Sequence, residues 1–399
     1  MTGRTLNAVG WILLLAGAAG IFGAIALSPR RFLRDFVTYY HASQVFSRGG
    51  NPYGTEASPD TAEPAPGLKF VYPPHILPLF SWTAGLAYNR ARLAWLIAKG
   101  VFLLALLLCW RRILAHEHPD VLFFAFAALA FNSAIVIDLT AGNVAIIEQA
   151  LLWGGFLAFT RERWTTFALL VAASALFKLN NGLFILLLLP APSRRAVLPL
   201  AAGVAAIASP LVVSCLLWPR LFDSFLMNAN GLMFPGERGA SNPCLWACLS
   251  DMRDTLVSLT GLQIPSVAVG ILFALHALVI LSVTGKIMRR LFSSAWEERY
   301  VCAVALACLA FPLVVPRFKD YSFIQLIPPA YLLLRRAGTG RFEVALLAFI
   351  LCMPTVSASR LLDPLLVYHL LFVTYGLWLL LLLYVKTGVA EFGDMHRAA

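Results

Sequence analysis

Residues Leu370–Val385 read LLFVTYGLWLLLLLYV, an unbroken run without one charged side chain. Such a stretch is either the middle of a large core or a helix crossing a bilayer, which takes about 20 apolar residues. Val101–Trp110 (VFLLALLLCW) and Val121–Phe131 (VLFFAFAALAF) repeat the pattern, and composition decides between the two. Of 399 residues, 60% are hydrophobic and 13% charged, with a mean hydropathy of +0.79; ordinary soluble domains carry roughly 25% charged residues. A soluble body of this size would leave much of that apolar surface in water. The chain reads as an all-α polytopic membrane protein, and a soluble globular enzyme is excluded.

Working outward, the N-terminus has Arg4, an apolar run Ala8–Leu27 and a cleavage-like Ala24-Ile25-Ala26. That resembles a signal peptide, but its length suits a retained first span. Ser28–Arg90 is mostly polar, with Asn51-Pro52-Tyr53-Gly54 and a Pro/Glu/Ala segment over Ser58–Gly67. Within it Val71–Tyr88 is apolar but broken by Pro73, Pro74 and Pro78, and reads as a helix in or dipping into the interface. Further spans are expected near 92–110, 120–138, 144–160, 165–179, 182–193, 196–217, 266–284, 300–315, 322–334, 342–357 and 365–385. The expectation is about twelve spans in a single domain over 1–399, with a long first external loop (28–91) carrying juxtamembrane helices and a second large external loop at 218–265.

The charge distribution orients this arrangement. Lys and Arg exceed Asp and Glu by 31 to 20, a net +11. The tight clusters Arg111-Arg112, Arg161 with Arg163, Arg194-Arg195, Lys286 with Arg289-Arg290, and Arg335-Arg336 with Arg341 all fall on one side, as expected of cytoplasmic loops. The opposite side is also basic: Arg30, Arg31, Arg34, Arg48, Lys69, Arg90, Lys178, Arg220, Arg238, Arg253, Arg317, Lys319 and Arg360. Positive-inside bias does not account for these. Phosphate near the outer headgroups does, with surface lipid contact as the plainer alternative. The balance points to membrane lipids and phosphate, not to nucleic acid. The seven cysteines form no metal-type pair; Cys244 and Cys248, four apart on the external side, leave a disulfide open.

Just past the first span the chain reads Arg34-Asp35-Phe36-Val37-Thr38-Tyr39-Tyr40-His41-Ala42-Ser43. Asp35 suits the first turn of a helix, and Phe36, Tyr39, Tyr40 and Phe46 give it an aromatic side suited to the interface. A carboxylate there can take a proton from a substrate hydroxyl while nearby cations hold a phosphate.

Asp35-Phe36-x-x-Tyr39-Tyr40-x-Ala42, Gly50-Asn51-Pro52-Tyr53 and Phe70-x-Tyr72-Pro73-Pro74 together resemble the opening of glycosyltransferase family 87. Ala141-Gly142-Asn143 and Leu176-Phe177-Lys178 are similar to later family positions that typically read Gly-Gln-x-Asn and Ala-x-Lys, and Ser241-Asn242-Pro243 loosely resembles a loop segment around Asn-x-Ser. The resemblance implies a GT-C-like fold, polyprenyl-phosphate sugar donors, and a catalytic Asp in the first external loop, which here is Asp35. Family members often carry a Trp-Asp-His-His-like element before a late span. This chain has Pro316-Arg317-Phe318-Lys319-Asp320-Tyr321 there, without histidine, a departure that weakens the carry-over of a catalytic His and of mannosyl specificity.

The expected reaction is transfer of a sugar, a hexose such as mannose or a pentose, onto an acceptor hydroxyl of a lipid-linked or envelope glycan. Outside the membrane there is no nucleotide sugar, so the donor arrives on a lipid. Asp35 acts as general base in one inverting displacement; Lys178, Arg317 and Lys319 bind the leaving phosphate. Tyr39, Asn51, Tyr72, Asp138, Asn143, Asn242 and Asp320 are further substrate-binding candidates. No cofactor is required and no metal site is indicated, although Asp138 beside Gly142-Asn143 leaves a divalent metal open. The expected location is a bacterial inner (plasma) membrane with the site on the external, periplasmic face. Lys99 and Glu148 fall inside spans at similar depth and are expected to pair with each other. His276 reads as a hydrogen-bonded bundle residue. His41 and His75 lack a partner at ligand spacing, and Trp246 is a sugar platform or core packing. The rival readings are a lipid or glycan transporter or flippase, which would show repeated halves and broken midplane helices, and a non-catalytic envelope assembly protein.

Overall fold

The computed structural model describes residues 3–28, 32–54, 69–114, 121–191, 194–233, 238–336, 341–352 and 367–398. The Ser58–Gly67 segment and the basic residues Arg30, Arg31 and Arg360 lie outside them. The described chain is helical throughout, with no strand. It begins with α1 (Gly3–Leu27) and the first-loop helix α2 (Arg34–Ser47). The proline-broken segment forms a 3-10 turn at Pro74–Ile76, the short α3 (Leu77–Phe80) and a second 3-10 turn at Ser81–Thr83. Its prolines sit at helix starts, where their missing N–H costs nothing.

Then follow α4 (Tyr88–Ile113), α5 (Val121–Ala141), α6 (Ala145–Phe159) and α7 (Trp164–Phe177). A ten-residue 3-10 helix, Leu179–Leu188, leads to α8 (Val197–Leu217) and the amphipathic α9 (Pro219–Met233). The chain continues through α10 (Leu245–Thr260), α11 (Ser266–Ser293), α12 (Arg299–Val314), a 3-10 helix at Asp320–Leu326, α13 (Ile327–Arg336), α14 (Arg341–Cys352) and α15 (His369–Ala398).

Five helical stretches among the described residues are long and apolar enough to cross a membrane: Tyr88–Ile113, Val121–Ala141, Val197–Leu217, Ser266–Ser293 and His369–Val389. Several other apolar segments expected as spans are shorter: Ala145–Phe159, Trp164–Phe177, Leu179–Leu188 and Arg299–Val314. Fifteen residues of α-helix reach only about 22 Å and ten of 3-10 helix about 20 Å, against a hydrocarbon core of about 30 Å. By length and composition, five of the about twelve expected spans are found among the described residues. α5 is itself interrupted, since Phe131, Asn132 and Ser133 adopt left-handed backbone angles.

α6 packs between α4 and α7, and α7 packs on α8; α11, α12 and α15 form a second group. The side chains follow this layering. Leu152, Trp153, Phe156 and Phe159 of α6 are buried, whereas Leu198 and Leu216 of α8 and Leu278 of α11 are exposed. Faces this apolar have no stable home in water but suit lipid.

The aromatic side of α2 packs on protein. Phe36 stacks on Trp95 with ring centroids 5.4 Å apart and Tyr39 stacks on Phe80 at 4.9 Å, while Phe46 meets Trp218 edge-on. The expectation that these rings lie in the headgroups is corrected: three of them are core residues.

Candidate active site

The site is built where the end of α5 meets the start of α2. Leu33, in the left-handed conformation, donates its N–H to Thr140 O at 2.7 Å. Gly142, at φ +73°, closes the turn after α5; a Cβ there would lie 2.9 Å from the Leu33 side chain and 3.1 Å from its Cα. Only glycine permits both that backbone angle and that approach. The close contact delivers Asp35, in the first turn of α2, to Asn143.

Asn143 Nδ2 donates to Asp35 Oδ2 at 2.6 Å and lies 3.0 Å from Tyr39 OH. Its Oδ1 accepts the Ala145 N–H at 3.1 Å, which fixes which end of the amide faces Asp35. Tyr39 OH and Tyr72 OH share a hydrogen bond at 3.0 Å. Among the described residues no group donates to Asp35 Oδ1. Burial raises the Asp35 carboxyl above its ordinary range, while the Asn143 amide and the charges of Lys319, Lys99 and Arg34 pull it back. Burial also pushes the Tyr39, Tyr72 and Tyr321 hydroxyls up, so they stay protonated donors.

Beside this network lies a cavity of about 450 Å³, walled by Tyr72, Asn143, Glu148, Lys178, Arg317, Lys319 and Tyr321 and bordered by Phe225 of α9. The helix breaks at Lys178, whose extended backbone separates α7 from the Leu179–Leu188 3-10 helix. Lys178 Nζ donates to Glu148 Oε1 at 3.1 Å and to Ser322 Oγ at 2.6 Å. Its ammonium lies 5.5 Å from the Tyr321 ring centre, and that of Lys319 lies 6.0 Å from it. Three cations and one carboxylate give this cavity wall an excess of positive charge. A second, apolar groove of about 430 Å³ shares Leu183 with this cavity and runs between Leu186–Pro190, α11 and α12.

Of the site residues expected from sequence, Asp35, Tyr39, Tyr72, Asn143, Lys178, Arg317 and Lys319 are brought together here. The others take supporting places. Asn51 Nδ2 donates to Ser224 Oγ at 3.0 Å while its Oδ1 accepts the Tyr53 N–H, so it ties the first loop to α9. Asn242 Oδ1 accepts the Phe318 N–H at 2.8 Å, and Asp320 Oδ1 accepts the Tyr321 N–H at 2.8 Å; both shape the loop carrying Arg317 and Lys319. Cys244, a free thiol, donates to Pro316 O in the same loop.

Asp138 is fully buried against Lys99, with Nζ to Oδ2 at 2.6 Å, and does not line the cavity. The expected Lys99–Glu148 pair is thereby corrected: Lys99 pairs with Asp138, and Glu148 with Lys178. Depth along two helices does not determine which faces meet. Glu148 and Ser322 were not expected in the site; their signal was only an acid inside an apolar run and a serine after a loop.

His75 is held by Ser214 Oγ and Leu176 O, His276 shares a hydrogen bond with Tyr375, and Trp246 packs on Phe273. Among the described residues no three His, Cys, Asp or Glu side chains are grouped for a metal. The family model of glycosyltransferase family 87 matches residues 70–316, a stretch that contains Tyr72, Asn143, Glu148 and Lys178. No curated protein and no solved structure matches the chain.

Proposed function

The chain belongs to glycosyltransferase family 87, and from that premise we propose that it moves a sugar from a polyprenyl-phosphate donor to an acceptor hydroxyl, with Asp35 as general base. The observation that carries this reading is the Asp35 carboxylate, aimed by Asn143, one hydrogen bond from a cavity bearing Lys178, Arg317 and Lys319. Asp35 Oδ1 takes the proton of the acceptor hydroxyl. The acceptor oxygen attacks the anomeric carbon from the face opposite the phosphate, and the carbon–oxygen bond to phosphate breaks. Its electron pair leaves on the lipid phosphate, and the configuration inverts.

Lys178, Arg317 and Lys319 stabilise that developing charge without a divalent metal. Ser322 and Glu148 hold the Lys178 ammonium in place. Hydroxyls of the sugar meet Tyr72 and Asn143. The apolar groove that shares Leu183 with the cavity suits the donor's hydrocarbon chain. The acceptor is a lipid-linked or envelope glycan in a bacterial inner membrane. The site opens on the external face, because loops 28–91, 138–143, 178–182 and 316–321, assigned to that side by charge, all contribute to it.

The test uses purified protein in detergent with labelled polyprenyl-phosphate hexoses and pentoses and candidate acceptors. A new glycoside from one donor is expected, and Asp35→Asn lowers its rate by about a hundredfold or more at unchanged fold. Full activity in that variant removes the base. A protein that moves lipid without forming any glycoside is a transporter.

A further inference from the structure

Lys99 is fully buried on α4, and all three donors of its ammonium are spent on one turn. They reach Asp138 Oδ2 at 2.6 Å, Asp138 O at 2.8 Å and Asn143 O at 2.6 Å. Trp95, one turn earlier on the same face, donates Nε1–H to Gly142 O at 2.9 Å. Arg92, three residues before it, donates to Ile25 O and Ala26 O at the end of α1. Spacings of three and four put these side chains on one stripe of α4. The stripe holds the carbonyls on both flanks of the chain entering α2: the end of α1 and the turn that receives Leu33.

Stability alone does not explain the ion pair. Asp138 Oδ1 is buried without a partner, and a buried pair of this kind is often no better than two apolar side chains. What the ammonium does fix is the backbone of Asn143, whose side chain is the one hydrogen-bond donor to Asp35 among the described residues.

We infer that Lys99 is a positioning residue for the Asp35 carboxylate, acting through the Asp138–Asn143 turn. The inference rests on the reading of Asp35 as the base. Lys99 makes no contact with the cavity, so it affects the chemical step rather than donor binding. Asp35 is faced by Arg34 and Tyr39 of its own helix, Lys99 of α4, Asp138 of α5, Tyr72, and Lys319 and Tyr321 of the late loop. Replacing Lys99 and Asp138 together removes one cation and one anion. The main electrostatic change left at Asp35 is then the loosened Asn143 bond, which had favoured the carboxylate.

The experiment compares Lys99→Met/Asp138→Leu, Trp95→Phe and Asp35→Asn with the unmodified protein, using the polyprenyl-phosphate sugar that supports turnover. In the double variant kcat is expected to fall about tenfold or more, with donor KM within about twofold and the acidic limb of the pH–rate profile at higher pH. A double variant with unchanged kcat and an unshifted limb, alongside an inactive Asp35→Asn, overturns the inference and leaves the base assignment standing. Full activity in Asp35→Asn overturns the base assignment, and the inference with it. Should the double variant fail to fold, Trp95→Phe decides: loss of its bond to Gly142 O lowers kcat by about twofold or more, and an unchanged kcat overturns the inference.

Discussion

The two oxygens of Asp35 have unlike surroundings: Oδ2 is held by Asn143, and Oδ1 is the one proposed to receive the acceptor hydroxyl's proton. Burial raises this carboxyl while Lys319 opposes the rise. With Asp35 as the proposed base the ionised form is the active one, so the rate is expected to fall as pH drops through its pKa, a limb raised from the ordinary carboxylate value by burial. Removing the Lys319 charge lets the pKa rise further. Lys319→Met is expected to move the acidic limb to higher pH while raising donor KM; a pH–rate profile at saturating donor checks it, and an unmoved limb contradicts the electrostatic coupling. At this scale much of the site was legible in sequence, because Asp35, Tyr39, Tyr72 and Asn143 sit in short local patterns. The pairing of Lys178 with Glu148 and Ser322 was not, since it joins groups 30 and 144 residues apart. It depends on helix rotations that hydropathy does not encode.

Among the elements, the turn after α5 has the least freedom. A side chain on Gly142 meets Leu33 and Phe36 at 2.9–3.1 Å and also disfavours the backbone angle. Gly142→Ala is expected to separate Asn143 from Asp35 and to lower kcat by about tenfold or more, with a loss of about 1–3 kcal/mol in stability. Turnover together with a detergent thermal-unfolding midpoint checks both. The order of the apolar helices was readable from apolar runs and proline breaks, whereas α9 and α10, inside the expected loop 218–265, were not. Nor were the helix lengths. α7 ends at Phe177 because Lys178 leaves helical geometry, and the next apolar run, Leu179–Leu188, winds as a 3-10 helix. A hydropathy profile gives both segments the same weight as a full span. α2 was likewise recognised as a helix, yet its aromatic face was assigned to headgroups when it is buried against Tyr88, Trp95 and Phe80.

In the whole molecule, the positive charge that composition reports as one number separates into two populations. One lies at the ends of long helices, such as Arg111 and Arg112 closing α4. The other is carried by loops distant in sequence, with Lys178, Arg317 and Lys319 meeting at one cavity. The apolar groove beside it makes the proposed donor site two-part: a charged head compartment and a hydrocarbon channel. Filling the channel tests this. Ala307→Phe, at the groove wall, is expected to raise KM for a long-chain donor by about tenfold and to leave a short-chain analogue nearly unaffected. Equal effects on both donors contradict the division.

The 3-10 helix that walls this groove has a geometric consequence. Leu183, Leu186 and Leu189 are exposed and spaced by three. In a helix of three residues per turn such side chains eclipse one another, forming a straight rail open to the bilayer. A lipid-linked donor of the kind proposed would follow that rail without leaving the membrane. On the proposed reading the protein samples its substrate in two dimensions, and saturation would depend on the donor's mole fraction among surrounding lipids rather than on its amount per volume of solution.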